Sequence, residues 1–61
     1  MKFDGWVLRN LKDYGNSLLP DRLIETVNND LDVLKNIIEF AYEKPVRINK
    51  SDSGYIVEEV R

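Results

Sequence analysis

A stripe of apolar residues in the middle of the sequence limits the folds open to this chain. Its members follow one another at steps of three or four residues: Ile24, Val27, Leu31, Leu34, Ile38 and Ala41. This spacing is typical of one face of an α-helix. Leu23, Ile37 and Phe40 widen the stripe, so a broad face is expected to be buried. The pattern predicts a long amphipathic helix over residues 20–43, which ends before Pro45 because the residue before a proline avoids helical geometry.

The centre of this segment leaves an alternative open. Asn28, Asn29 and Asp30 are poor helix formers. Asn29 or Asp30 could cap a second helix that begins at Leu31. The apolar spacing crosses these residues without changing phase, and this favours one helix, straight or bent. Two helices with a joint near Asn28–Asp30 are the alternative.

A shorter helix is predicted at the N-terminal end, over residues 4–14. Asp4 can cap its start, and Gly15 suits the left-handed conformation that commonly follows a helix. A strand over residues 2–8 is the alternative. The helix is favoured because four apolar residues share one helical face: Phe3, Val7, Leu11 and Tyr14.

The C-terminal segment, residues 45–60, has the pattern of a β-hairpin. Val46 and Ile48 alternate with polar residues, and the run from Tyr55 to Val60 is rich in β-branched and aromatic residues. Between them, Ser51–Gly54 supplies turn residues. The predicted fold class is therefore α+β, with a short N-terminal helix, a long amphipathic helix and a C-terminal hairpin in a single small domain, residues 1–61.

Composition argues against catalysis and against bound cofactors. The chain has 61 residues, which is one small domain, and it contains neither Cys nor His. The thiol nucleophile, the commonest general base and the usual zinc ligands are therefore absent. The sequence therefore predicts that the protein is not an enzyme and that it binds no cofactor or metal. No apolar run approaches the ~20 residues needed to cross a bilayer, and no signal-peptide pattern is present, so a cytoplasmic location is expected.

A nucleic-acid partner is the less favoured of two partner classes. If the middle segment is broken, three helices and a hairpin follow one another, which resembles the layout of a winged-helix DNA-binding protein. Lys44, Arg47 and Lys50 would then contact DNA from the hairpin. The net charge is −2, however, and one base, Lys35, accompanies four acids in the helix that would enter the groove: Asp30, Asp32, Glu39 and Glu43. Acidic residues oppose binding to phosphate.

A protein partner fits the sequence better. Trp6, Tyr42, Tyr55 and Arg47 are the predicted contact residues, because large aromatic and arginine side chains often anchor interfaces. The alternative for the aromatic residues is a place in the core. A homodimer through the apolar stripe and strand addition to an open hairpin edge are further possibilities. The predicted function is a small non-catalytic protein-interaction module that acts as an intracellular regulator or accessory factor.

Overall fold

The computed structural model describes residues 4–60 and confirms the α+β class. Over these residues three helices accompany a three-stranded antiparallel sheet with strand order β1-β3-β2. The elements in chain order are α1 (Gly5–Tyr14), β1 (Asn16–Leu18), α2 (Asp21–Thr26), α3 (Leu31–Tyr42), β2 (Val46–Ser51) and β3 (Gly54–Glu59). None of the helices in this part of the chain is long and apolar enough to cross a membrane.

The prediction of one long helix over residues 20–43 is wrong. The chain forms α2 and α3 instead, joined by a turn in which Asn28 and Asn29 are left-handed, with φ of 54° and 61°. Asparagine tolerates this conformation better than most residues. Asp30 then caps α3, since its carboxylate accepts a hydrogen bond from the Val33 N–H at 3.3 Å. The left-handed conformations of Asn28 and Asn29 therefore separate the two helices, and the Asp30 cap starts α3.

The unbroken apolar phase has a different origin from the one expected. Each helix is amphipathic by itself: Ile24 is buried in α2, and Leu34 and Ile38 are buried in α3. The turn contains four residues, Val27 to Asp30, so the spacing from Ile24 to Leu31 is the same as two turns of continuous helix. Spacing alone therefore could not distinguish one helix from two.

The N-terminal helix forms as its cap residues predict. The Asp4 carboxylate accepts from the Trp6 N–H at 2.9 Å, and Gly15 adopts a left-handed φ of 80°. Of the four residues expected on its apolar face, Val7 and Leu11 are buried, whereas Tyr14 at the helix end is exposed. Phe3 lies outside the described residues.

Strand β1 was not predicted, and it changes the place of the hairpin. Residues 16–18 form an antiparallel pairing with β3, with Ser17 opposite Val57. The predicted hairpin is confirmed as β2 and β3, with Gly54 at a φ of 126° beside its turn. Because β1 pairs with the edge of β3 that β2 leaves free, β3 is the central strand. The hairpin thus obtains a third strand from its own chain.

The core lies between one face of the sheet and the three helices. Side chains alternate along β3, so Tyr55, Val57 and Glu59 face the helices while Ile56 and Glu58 face away. Buried Ser17 from β1 joins this inner face. The buried hydrophobic residues are Val7, Leu11, Leu19, Ile24, Leu34, Ile38, Val46 and Val57.

Candidate functional site

The four predicted partner-contacting residues occupy different environments. Trp6, on α1, is 56% exposed. Tyr42 and Tyr55 are half-buried and pack against the core. Arg47 is exposed, and its Nε lies 3.0 Å from Glu58 Oε2. Since Arg47 and Tyr55 belong to opposite faces of the sheet, the structure does not bring these two together.

Tyr42 connects three elements through its hydroxyl group. The hydroxyl oxygen lies 3.2 Å from the Leu11 carbonyl oxygen on α1 and 3.1 Å from Glu59 Oε2 on β3. Burial, and then the neighbouring Glu59 carboxylate, raise the pKa of Tyr42 above its ordinary value. This geometry gives Tyr42 a part in holding α3 to the rest of the domain.

The three cations predicted to contact DNA do not form one basic surface. Lys44 Nζ lies 3.6 Å from Glu59 Oε1 and 5.6 Å from the centre of the Tyr42 ring. Arg47 is paired with Glu58, as described above. Lys50 is exposed near the hairpin turn, on the sheet face opposite to Arg47. Two of the three cations therefore have a carboxylate beside them, and the third has a different orientation.

The most prominent exposed feature is a second apolar stripe on α3. Phe40 was expected to be buried, and this was wrong, because it is 88% exposed. Val33 is 44% exposed and Ile37 is half-buried. These three residues, here called the outer face of α3, follow one another at steps of four and three, so they share one side of the helix.

The outer face is exposed because α3 is covered on its other side. Leu34 and Ile38 point into the core, where α1, α2 and β2 contact the helix. The outer face lies one residue out of phase with Leu34 and Ile38. The sequence does carry a signal for it, since α3 has two interleaved apolar stripes and a small domain can cover only one of them.

Acidic residues border the outer face. Asp32 and Glu43 are exposed near its two ends.

Glu39, in contrast, already has partners. Its carboxylate accepts a hydrogen bond from the Val46 N–H at 3.0 Å and pairs with Lys35 Nζ at 3.1 Å. The Val46 hydrogen bond, followed by Lys35, lowers the pKa of Glu39. The ionised Glu39 carboxylate thus accepts the hydrogen bond of the Val46 N–H, which lies at the free edge of β2. A backbone N–H that is already hydrogen-bonded is not available to a strand of another chain.

An open groove of about 880 Å³ lies between α1 and the end of α3. Its lining mixes apolar Leu8 and Tyr42 with Arg9, Lys12 and Glu43. Glu59, which accepts the hydrogen bond from Tyr42, also lines the groove. Within residues 4–60, no group of three or more His, Cys, Asp or Glu residues is arranged to hold a metal ion. The groove is thus less distinctive chemically than the outer face of α3.

The comparisons with known proteins add no family. No protein-family model, curated protein or solved structure matches the chain.

Proposed function

We propose that the chain is a small non-catalytic protein-interaction module that binds a partner through the outer face of α3. The observation that carries the proposal is the 88% exposure of Phe40 in the second half of a well-formed helix. Exposed apolar surface costs about 25 cal/mol per Å² relative to burial. Large contiguous apolar patches are uncommon on proteins that act alone, and they often mark interaction sites.

The arrangement of the outer face supports a helix-mediated contact. Val33, Ile37 and Phe40 occupy positions i, i+4 and i+7, which is the spacing of anchor residues in helices that bind a hydrophobic groove or another helix. Leu34 and Ile38 already fill the core beneath α3. The outer face is therefore available to a partner without any rearrangement of the domain.

The proposed role is regulatory or accessory, within the cytoplasm. A chain without Cys or His lacks the side chains that most often carry nucleophilic and acid–base chemistry. The exposed groups that remain are suited to recognition.

The test is affinity capture with three versions of the protein. The Val33→Ser/Phe40→Ser double variant removes two anchors, and Tyr14→Ser removes an equally prominent exposed aromatic residue on α1. The wild type and Tyr14→Ser are expected to retain the same partner, and the double variant is expected to lose it. All three should keep their circular-dichroism spectra, with free energies of unfolding within about 0.5 kcal/mol of one another. Full retention of the partner by the folded double variant would refute the proposal.

A DNA-binding accessory protein is the second candidate, and the break between α2 and α3 is the observation that favours it. Two helices joined by a short turn and followed by a hairpin give the element order of a winged helix. The helix corresponding to α3 would lie in the major groove. Against this, Asp32 and Glu43 are exposed on or beside α3, where they would repel phosphate.

Fluorescence anisotropy with mixed-sequence duplex DNA at low salt separates the two candidates. Low salt strengthens the phosphate contacts that DNA-binding proteins share. The first proposal predicts no saturable binding. Saturable, salt-sensitive binding that disappears in a Lys44→Glu/Arg47→Glu/Lys50→Glu variant would favour the DNA-binding candidate instead.

A further inference from the structure

We infer that the partner surface received by the outer face of α3 is a cationic amphipathic helix, with apolar side chains flanked by Lys or Arg. This inference rests on the proposed function and specifies its partner. Val33, Ile37 and Phe40 have the i, i+4, i+7 spacing with which one amphipathic helix contacts another. The charge of the partner follows from the residues at the two ends of the outer face.

The two ends of the outer face both carry negative charge. Asp32 immediately precedes Val33, and Glu43 follows the last turn of α3. Both are exposed, and neither forms an ion pair with another residue in the range 4–60. Lys35 and Lys44 do not offset them, because each is already paired with a glutamate.

This charge pattern disfavours a second copy of the chain as the occupant. If two α3 helices packed in parallel through their outer faces, Asp32 would lie near Asp32 and Glu43 near Glu43. If they packed antiparallel, Glu43 of one copy would lie near Asp30 and Asp32 of the other. Like charges across an interface suppress association. A cationic helix places opposite charges at both ends in either orientation.

Two synthetic helical peptides with identical leucine positions test the inference. One carries lysine at its polar positions and the other carries glutamate, and each is labelled for fluorescence anisotropy. The lysine peptide is expected to bind the wild-type protein about tenfold more tightly than the glutamate peptide at low salt, and the difference should shrink as salt is added. Equal binding of the two peptides, or no binding of either, would overturn the inference.

Two variants separate the charge inference from the proposed binding face. Val33→Ser/Phe40→Ser keeps every charge and should lose the lysine peptide. Asp32→Lys/Glu43→Lys keeps the apolar face and should prefer the glutamate peptide. If the first variant loses binding but the second keeps the original preference, the cationic partner is refuted while the binding face stands. If the first variant binds as well as the wild type, both are refuted.

Sedimentation of the wild-type protein tests whether a second copy of the chain binds the outer face of α3 instead. Under the inference the protein sediments as a monomer at the concentrations of the titration. A dimer that is abolished by Val33→Ser/Phe40→Ser would identify a second copy as the occupant and overturn the cationic partner.

Discussion

The hydroxyl group of Tyr42 shows how much one side chain contributes to a domain this small. The two oxygen atoms that can accept its single proton, those of the Leu11 carbonyl and the Glu59 carboxylate, belong to α1 and β3. Removing the hydroxyl with Tyr42→Phe is expected to cost about 1 kcal/mol of unfolding free energy, measured by urea denaturation. Tyr14→Phe is the matched control and should change nothing, because Tyr14 is 74% exposed. Equal effects of the two variants would contradict the role given to Tyr42.

The same residue predicts a pH dependence on the alkaline side. The pKa of Tyr42 is raised by burial and by Glu59 above its ordinary value of 10.0. The protonated form is therefore favoured by folding, so its stabilisation is complete below pH ~10 and is lost as the pH rises through the higher pKa of the folded state. The difference in unfolding free energy between the wild type and Tyr42→Phe should shrink over that range. A difference that is constant up to strongly alkaline pH would be inconsistent with this assignment.

Asp4 is expected to make the unfolding free energy depend on pH in acid, where stability is lost as the pH falls. The Arg22 guanidinium, which hydrogen-bonds the Asp4 carboxylate, lowers the pKa of Asp4 below its ordinary value of 3.8, and the Trp6 N–H assists. The resulting stabilisation is present above that value and is lost as the pH falls through the lowered pKa. Asp4→Asn should be less stable than the wild type at neutral pH, and the difference should vanish in strong acid.

A double-mutant cycle attributes this effect to the pair. Asparagine can still cap α1, so Asp4→Asn mainly removes the charge that faces Arg22. If the pair acts as described, Asp4→Asn has little further effect in an Arg22→Gln background at neutral pH. Additive losses in the double variant would show that the two side chains act separately.

Among the elements, α1 has a glycine at each of its ends, and the two have opposite roles. Gly15 ends the helix at a left-handed φ of 80°, whereas Gly5 lies in its first turn, and a Cβ at either position would meet nothing within 4 Å. The effect of alanine on stability at each position therefore depends on the backbone conformation there and not on steric contacts. Gly15→Ala is expected to destabilise by about 1–2 kcal/mol, and Gly5→Ala to stabilise by about 0.5–1 kcal/mol, in thermal or urea unfolding. Effects of the same sign would contradict the assigned helix end.

The elements differ in how well their own residues specify them. The start and end of α1 and the hairpin turn follow from local chemistry at Asp4, Gly15 and Gly54, so they could be predicted from the sequence. Strand β1 could not, because its three residues gain their pairing from β3, about forty residues further along the chain. The break after α2 was the alternative that Asn28–Asp30 left open, and the structure confirms it. It was not the favoured prediction because the apolar spacing continues across these residues.

At the scale of the whole molecule, the candidate site depends on which side of α3 the rest of the domain covers. The spacing separates an apolar stripe through Leu34 and Ile38 from one that includes Phe40, but it does not tell that the domain covers just the first of them. The answer comes from the sheet and from α1 and α2, which bury Leu34 and Ile38. The outer face therefore becomes visible only once the tertiary arrangement is known, whereas the lack of His and Cys is evident from composition.

A domain that contains its own core should unfold independently of its concentration. In the described part of the chain, buried residues come from all three helices and from all three strands, with Ser17 as the contribution of β1. The thermal midpoint is accordingly expected to stay constant over about a hundredfold range of protein concentration. A midpoint that rises with concentration would indicate an obligate homodimer and would contradict the monomeric module proposed above.

Site-specific photo-crosslinking from position 40 shows whether the outer face of α3 contacts a partner. Phe40 is replaced by p-benzoylphenylalanine, which keeps an aromatic ring at the outer face of α3, and Tyr14 is replaced in a matched control. We expect a discrete adduct with another protein from position 40 and none from position 14 after irradiation in cell extract. Adducts that are absent from position 40, or the same from both positions, would contradict a binding face on the outer side of α3.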